Sequence, residues 1–299
     1  MKTSILITFG LVLLLRSGFS QVTDKVYLLR WKIGNEEIIP YSIEAISLED
    51  SKIDVSEYFS SLLKSQGIKN DTSNIKGQLD ELLNSFKEQQ KNLKQIATIE
   101  NKGNLLYARI FVKNDQKPVN NTNQPSFENM IQGIQFRGLL NKNGSIYSYF
   151  LQTAQKNLLA LYFQLPDKPV KIGDAWPIDL QWLSANYTFH CDSANKINTV
   201  TFKDLYTKGS DTIAVLNYYY SETLSGATSM PFSNEIEPSF LHMDYSGLVE
   251  FNITKGRWEN YNLIITNISK GFQNSSSRQL YKLTETTLSK EDKKLLKKD

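Results

Sequence analysis

Apolar and polar residues alternate along most of this chain, and the alternation predicts strands. Tyr27, Leu29, Trp31 and Ile33 share one face at period two, giving a strand over 26–33. Gly34-Asn35 turns the chain, and 38–46 reads as a second extended run in which Pro40 marks an edge or a bulge. Between residues 54 and 95 the period changes to that of a helix. Asp54 caps a first helix with Glu57 as its reciprocal partner. Val55, Tyr58, Phe59, Leu62 and Leu63 form its stripe, and Gly67 ends it. A second helix covers 77–95, with Leu79, Leu82, Leu83, Phe86 and Leu93 on its apolar face. Both faces are expected to pack on a sheet; a movable lid over a cavity is the alternative.

From Ile96 the strand period returns. Lys102-Gly103 turns into a strand with Leu106, Ala108, Ile110 and Val112 on one face. Residues 130–140 and 145–151 read as a hairpin around Asn143-Gly144, a pair suited to tight turns. Residues 156–164 are apolar and fit helix or strand. The stretch from Leu165 to Trp182 then carries three prolines, two tryptophans and a Gly173-Asp174 turn. Beyond it nearly everything reads as β. Strands are expected over 196–206, 212–220, around Val249–Ile253, over 258–266 and over 280–288. Lys208-Gly209 and Lys255-Gly256 are turns, and 221–237 is a polar loop. The sequence KIGNEEII at 32–39 is echoed by KIGDAWPI at 171–178, as a duplicated β unit would leave it.

The expected fold is therefore α+β and β-rich. Extended antiparallel sheets, or a half-barrel, curl around two or three N-terminal helices, with two duplicated halves as one origin of the echo. The chain divides into a signal peptide at 1–20, an N-terminal half at 21–150, a C-terminal β-rich half at 151–289 and a charged, solvated tail at 290–299.

Composition sets the compartment. Lys2 precedes an apolar run from Ile5 to Leu15 that is too short to span a bilayer, and Gly18 and Ser20 make a cleavage site. The expectation is an exported chain, periplasmic or extracellular, with no transmembrane segment. Its net charge is +3, and loss of Lys2 and Arg16 leaves +1, without the basic excess of a nucleic-acid binder. Cys191 is the only cysteine, so no internal disulfide can form and the fold must stand on its core. Seven Asn-x-Ser/Thr sites, at Asn70, Asn120, Asn143, Asn186, Asn252, Asn267 and Asn274, would be glycan acceptors in a eukaryotic secretory pathway. The missing disulfides and short signal favour a bacterial source, where they carry nothing.

The last 130 residues also hold three segments with a family look. They are LPDKPVKIGDAW at 165–176, VTFKDLYTKGSDTIAVL at 200–216 and SGLVEFNITKGRWENYNL at 246–263. In order they give a proline-bearing lead, a Gly-Asp-x-Trp strand start, a Lys-Gly hairpin and a Gly-x-x-x-Phe strand with its own Lys-Gly turn. This pattern resembles an uncharacterised family of secreted, β-rich proteins of Bacteroidetes-type bacteria. The resemblance implies compartment and fold and brings no activity or catalytic residues. The combination of sheet and apolar helices is similar, in architecture alone, to the half-barrel lipoprotein-carrier fold.

Little catalytic chemistry is visible. His190 and His242 are the only histidines, and no zinc, nucleophile-elbow or phosphate-loop motif is present. His190 and Cys191 are neighbours and would face opposite sides of a strand. A carboxylate hydrolase needs two acids across a cleft. Asp174, Asp179, Asp192, Asp204, Asp244 and Glu250 are candidates, and no pair stands out. Aromatic content is the notable signal: fifteen phenylalanines, fifteen tyrosines and four tryptophans. Trp176, Trp182, Tyr187, Tyr218 and Trp258 are the candidate ligand-binding residues, because a large apolar ring with a polar tip suits a lipid cavity or a sugar platform. The expected function is a non-catalytic envelope protein that binds an apolar or lipid-like molecule between sheet and helices, with no cofactor. A glycan-binding or adhesion module and a carboxylate-dependent hydrolase are the alternatives.

Overall fold

The computed structural model describes residues 25–49, 52–54, 93–114, 133–150, 153–181, 189–229, 236–271 and 274–297. Twelve strands occur among them: β1 (Ile38–Ser47), β2 (Lys52–Asp54), β3 (Leu93–Lys102), β4 (Leu105–Asn114), β5 (Gly133–Leu140), β6 (Ile146–Phe150), β7 (Ala175–Trp176), β8 (Phe189–Lys208), β9 (Asp211–Ser229), β10 (Ile236–Asn252), β11 (Arg257–Lys270) and β12 (Asn274–Glu285). Helix α1 (Thr153–Phe163) follows β6, and α2 (Lys290–Lys297) follows β12. All strands join one antiparallel sheet in the order β6-β5-β4-β3-β1-β12-β11-β10-β9-β8-β7, with β2 also paired to β12. The N-terminal and C-terminal strands meet where Tyr41 of β1 pairs with Glu285 of β12.

The turns that join neighbouring strands are the ones the sequence marks. Gly103, Gly209 and Gly256 have positive φ at the β3–β4, β8–β9 and β10–β11 turns, where a side chain would be strained. Asn143-Gly144 closes the β5–β6 hairpin.

Other expectations shift. Residues 26–33 do not join the sheet; only Tyr27 makes a β-bridge, to Val170. The segment runs across the sheet instead, held where Lys32 N donates to Gly256 O, and Trp31 turns inward. The span 221–237 contains strand, since Ser221–Ser229 of β9 pairs residue by residue with Asp244–Ile236 of β10. Polar side chains take inward positions here, Glu222 and Thr228 being buried, which hides the apolar alternation. The two N-terminal helices read from 54–67 and 77–95 fall mostly outside the described residues. The ends of the spans are strand: Asp54 closes β2, and Leu93–Gln95 open β3, paired with Asn114–Val112. Both described helices lie elsewhere.

From Leu158 on, helix α1 is apolar on every side, as a helix surrounded by protein must be. Leu159, Ala160, Leu161, Tyr162 and Phe163 are all buried. Leu159 approaches β5 closely, and a methyl group at Gly138 would stand 3.1 Å from it. Leu161 meets β11, whose Tyr261 hydroxyl donates to its carbonyl at 2.8 Å. In sheet order β5 and β11 are five steps apart, which is roughly 24 Å if flat. A helix is only about 10–12 Å across, so the sheet must curl around α1. It does so without closing, because β6 and β7 are free ends of the strand path.

Three aromatic donors finish the helix. The last carbonyls of a helix have no partner of their own. Here Tyr261 Oη donates to Leu161 O at 2.8 Å, Trp258 Nε1 to Tyr162 O at 2.7 Å and Trp31 Nε1 to Phe163 O at 2.8 Å. The same rings form the centre of the core. Trp31 lies edge-on to Tyr41, Phe163, Phe251 and Trp258, and Trp258 edge-on to Tyr261. Asn143 and Gly144 close on the same end: Leu165 N donates to Asn143 O at 2.7 Å, and any Cβ on Gly144 would fall 1.7 Å from Phe163 O. At the other end a strap holds α1. Buried Asn157 exchanges two hydrogen bonds with the backbone of Gln181, and Lys156 pairs with Asp179 at 2.9 Å.

The lysine-rich C-terminus is the helix α2, not a solvated tail. Ser289 and Asp292 cap it reciprocally, Ser289 N donating to Asp292 Oδ2 at 2.9 Å and Asp292 N to Ser289 Oγ at 3.1 Å. It covers the outer face of β3 and β4, where Leu296 packs with Ile96 and Phe111. Buried Arg109 donates to Leu296 O at 3.0 Å and pairs with Glu100 at 3.1 Å; Lys113 pairs with Asp292 at 3.1 Å.

Tyr261→Phe removes one hydroxyl and leaves a buried helix carbonyl unpaired. It should cost about 1–3 kcal/mol, read as a lower midpoint in denaturant unfolding with an unchanged slope. Gly144→Ala should cost more, since it adds backbone overlap to a position with φ of 80°.

Candidate binding surface inside the sheet

The inner face of the sheet is read from strand alternation. Its rows run across the strands. One row is Trp176 on β7, Val200 on β8, Tyr218 on β9 and Gly247 on β10. It continues through Leu263 on β11, Tyr281 on β12 and Ala45 on β1. The next row is Asn198, Tyr220, Tyr245, Ile265 and Gln279. Further on come Glu222 with Met243 and Asn267, then Leu224 with Leu241. The carbonyl caps of α1 lie on the Trp31–Trp258 side of these rows, whereas its strap crosses the others: Asn198 exchanges hydrogen bonds with the backbone of Ile178, and Lys196 donates to Leu180 O.

Six tyrosines gather here. Tyr162 lies edge-on to Tyr261 at 6.1 Å, Tyr218 edge-on to Tyr261 at 6.2 Å and Tyr220 edge-on to Tyr245 at 5.8 Å. Tyr281 is the sixth, close enough to Tyr162 and Tyr245 to interact electrostatically. Burial pushes the phenols of Tyr162, Tyr218, Tyr245, Tyr261 and Tyr281 upward, so all five stay protonated and neutral at physiological pH. Tyr261 spends its proton on the helix. The hydroxyls of Tyr162 and Tyr218 and the indole nitrogen of Trp176 are buried with no hydrogen-bond partner.

The aromatic residues singled out from sequence divide accordingly. Tyr218 belongs to this surface, and Trp176 is half-buried beside it. Trp258 is 4 % exposed and serves the helix, so it cannot offer a flat face to a sugar. Trp182 and Tyr187 lie outside the described residues. Sequence reasoning missed Tyr162, Tyr245, Tyr281 and Trp31. The signal for Tyr162 was the run Leu158–Phe163, apolar on all sides, which belongs to a buried helix.

Asp211 and Glu259 approach each other, both accepting from Asn252 Nδ2 at 3.0 and 3.4 Å, and each is paired with a lysine, Lys255 at 2.7 Å and Lys208 at 2.6 Å. A surface cleft of about 560 Å³ is lined by Lys255, Arg257, Glu259, Lys282 and Glu285 among others. Glu259 pairs with Lys208 at 2.6 Å, and Glu285 with Arg257 at 3.1 Å. The hydrogen bond from Lys208 holds the Glu259 carboxyl below the usual range, whereas a general acid needs the opposite shift. Asp174 accepts within its own turn, Asp179 pairs with Lys156, and Asp204 accepts from Leu205 N.

One catalytic-looking chain does appear. Thr223 Oγ1 is 2.8 Å from His242 Nδ1, and His242 Nε2 is 2.6 Å from Asp244 Oδ2. With the carboxylate accepting from Nε2, a neutral ring would accept the Thr223 proton at Nδ1. The three sit mid-sheet, however. There β9 pairs with β8 on one side and β10 on the other, so the ladder claims the backbone N–H groups that would hold an oxyanion. His190 bonds Ser229 Oγ at 2.8 Å, and Cys191 is free and exposed; the two do not pair.

Comparison of the chain with family models, curated proteins and solved structures finds no match. No described helix is long and apolar enough to cross a membrane.

Two sequon asparagines are structural. Asn143 is 8 % exposed and accepts from Ser145 N and Oγ. Asn252 is fully buried; it donates to Asp211 and accepts from Lys255 N. If the chain is secreted from a eukaryotic host, peptide mapping of the folded fraction should find both unmodified, and a glycan on either would contradict this structure. Acid should unfold the protein through carboxylates whose folded pKa is depressed. Glu37 is lowered by the Gly34 N–H, Asp211 by Lys255 and Glu259 by Lys208. For Asp292, burial works upward but is outweighed by Ser289 and Lys113. A depressed folded pKa gives stability that is present above the unfolded value of about 4 and is lost as pH falls below it. The thermal midpoint should therefore hold from pH 8 to about 5 and drop steeply below about 4 in a pH series.

Proposed function

We propose that the protein is an exported, non-catalytic binding protein that holds an apolar or lipid-like molecule between the inner face of its sheet and the helices. The observation that carries this reading is the open curl of the sheet. Here the sheet wraps α1 and stops, and the rows beyond the helix caps continue with Tyr245, Ile265 and Leu224, which are buried, and with Met243 and Leu241, which are half-buried. Apolar walls with a few polar tips are what a small-molecule site needs. The reading takes the chain as one of the secreted, β-rich proteins its C-terminal segments resemble. Burial of Trp258 and Tyr218 weighs against a sugar-stacking platform, and the lowered carboxyls weigh against a hydrolase.

Mature protein purified without detergent should release a stoichiometric lipid into an organic extract, seen by mass spectrometry and missing from a control protein of the same preparation. The delipidated protein should bind a fluorescent fatty-acid probe saturably. A clean extract together with no probe binding would remove the proposal.

A further inference from the structure

Helix α2 spends one face on the sheet and leaves the other to solvent. Asp292 and Leu296 are buried against β3 and β4, whereas Lys290, Lys293, Lys294 and Lys297 are all exposed. At about 100° per residue, the four lysines fall within an arc of about 100°, and Asp292 and Leu296 lie outside it. The strands beneath are basic as well. Lys94 pairs with Lys113 across β3 and β4, and Arg109 with Arg137 across β4 and β5. Like charges set opposite each other on a sheet are normally unfavourable. The acids that offset them are spent under the helix: Asp292 on Lys113 and Glu100 on Arg109. Glu291 is the one exposed acid on α2. In a chain whose net charge is only +3, this is a local concentration of positive charge.

We propose that the lysine face of α2 docks the protein on an anionic lipid surface. Shape and residue type both select this partner. The sheet curls around α1, so its outer face is convex, and α2 stands on that face as a ridge. A ridge meets a plane. It encloses no small anion and forms no groove for a strand of nucleic acid. All four cations on the ridge are lysines. A lysine is a point charge on a flexible stem and suits the spread charge of lipid head groups, whereas the arginine fork reads a single phosphate or carboxylate. Lysine clusters of this size on a helix are attracted to acidic membranes, each residue adding about five-fold to the partition. The apolar side of α2 is already committed to Ile96 and Phe111. Attachment is therefore electrostatic and reversible, with no insertion of the helix. The proposal concerns the outer face and stands whether or not the inner face takes a ligand.

Flotation of the purified protein with lipid vesicles tests this. In about 0.1 M salt the protein should float with vesicles of phosphatidylcholine and phosphatidylglycerol in equal parts, and stay behind with phosphatidylcholine alone. Salt of about 0.5 M should release it, because charges are then screened within about 4 Å. Lys293→Glu together with Lys294→Glu should weaken the binding at least about twenty-fold. The control is Lys171→Glu together with Lys203→Glu, which changes the net charge equally. Lys203 lies on β8, and Lys171 lies in the turn whose Gly173 N donates to Phe202 O, at the other end of the strand order from β4. This pair should leave the binding within about two-fold, being more than a screening length from α2. Lys293→Gln together with Lys294→Gln adds no negative charge; it should show a smaller loss of the same sign with an unchanged thermal midpoint. No flotation with the acidic vesicles, equal flotation with neutral ones, or equal loss in the two charge-reversed pairs would each overturn the proposal. So would duplex DNA that strips the protein from acidic vesicles at matched phosphate, because the partner would then be a polyanion and not a lipid surface.

Discussion

The end of one helix is the point on which this structure turns. The carbonyls of Leu161, Tyr162 and Phe163 point into a dry core, where an unpaired acceptor is expensive. Tyr261, Trp258 and Trp31 each supply one donor. Because those donors come from β11 and from the segment ahead of β1, satisfying the helix also fixes the sheet to the N-terminal segment. The rings that carry the donors then pack edge-on against one another. Hydrogen bonding and aromatic packing are thus one interaction. A ring cannot move without exposing a carbonyl, and the helix cannot shift without breaking up the ring cluster.

Much of the sheet was legible. Period-two alternation and the Lys-Gly turns locate β3, β4, the central part of β8, and the strands around the β10–β11 turn. Legibility fails where that contrast fades. In the far end of β9 the buried positions are held partly by polar side chains, Glu222 and Thr228, so Ser221–Ser229 reads as a polar loop. Helix α1 fails for the opposite reason: Leu158 to Phe163 is apolar all round, and no periodicity separates a buried helix from a buried strand. The solvated reading of residues 290–299 missed α2 because the lysines face outward, while Asp292 and Leu296, just two of its eight residues, make the buried contact.

The candidate site was legible only as a residue type. Aromatic abundance drew attention to Tyr218, Trp176 and Trp258 together, but their tasks depend on partners that composition does not reveal. Trp258 spends its indole proton on α1, whereas Tyr218 and Trp176 spend theirs on nothing inside the protein. That difference is one of position and not of residue type. It follows from which strand row each occupies relative to a helix that the sequence left ambiguous.

The pairing of β1 with β12 also has a temporal side. β1 lies in the interior of the sheet, between β3 and β12, so one of its two neighbours comes from far along the chain. A polypeptide emerging from its N-terminus has to hold Ile38–Ser47 with one edge open until Glu285 arrives. Such long-range closure makes folding slow.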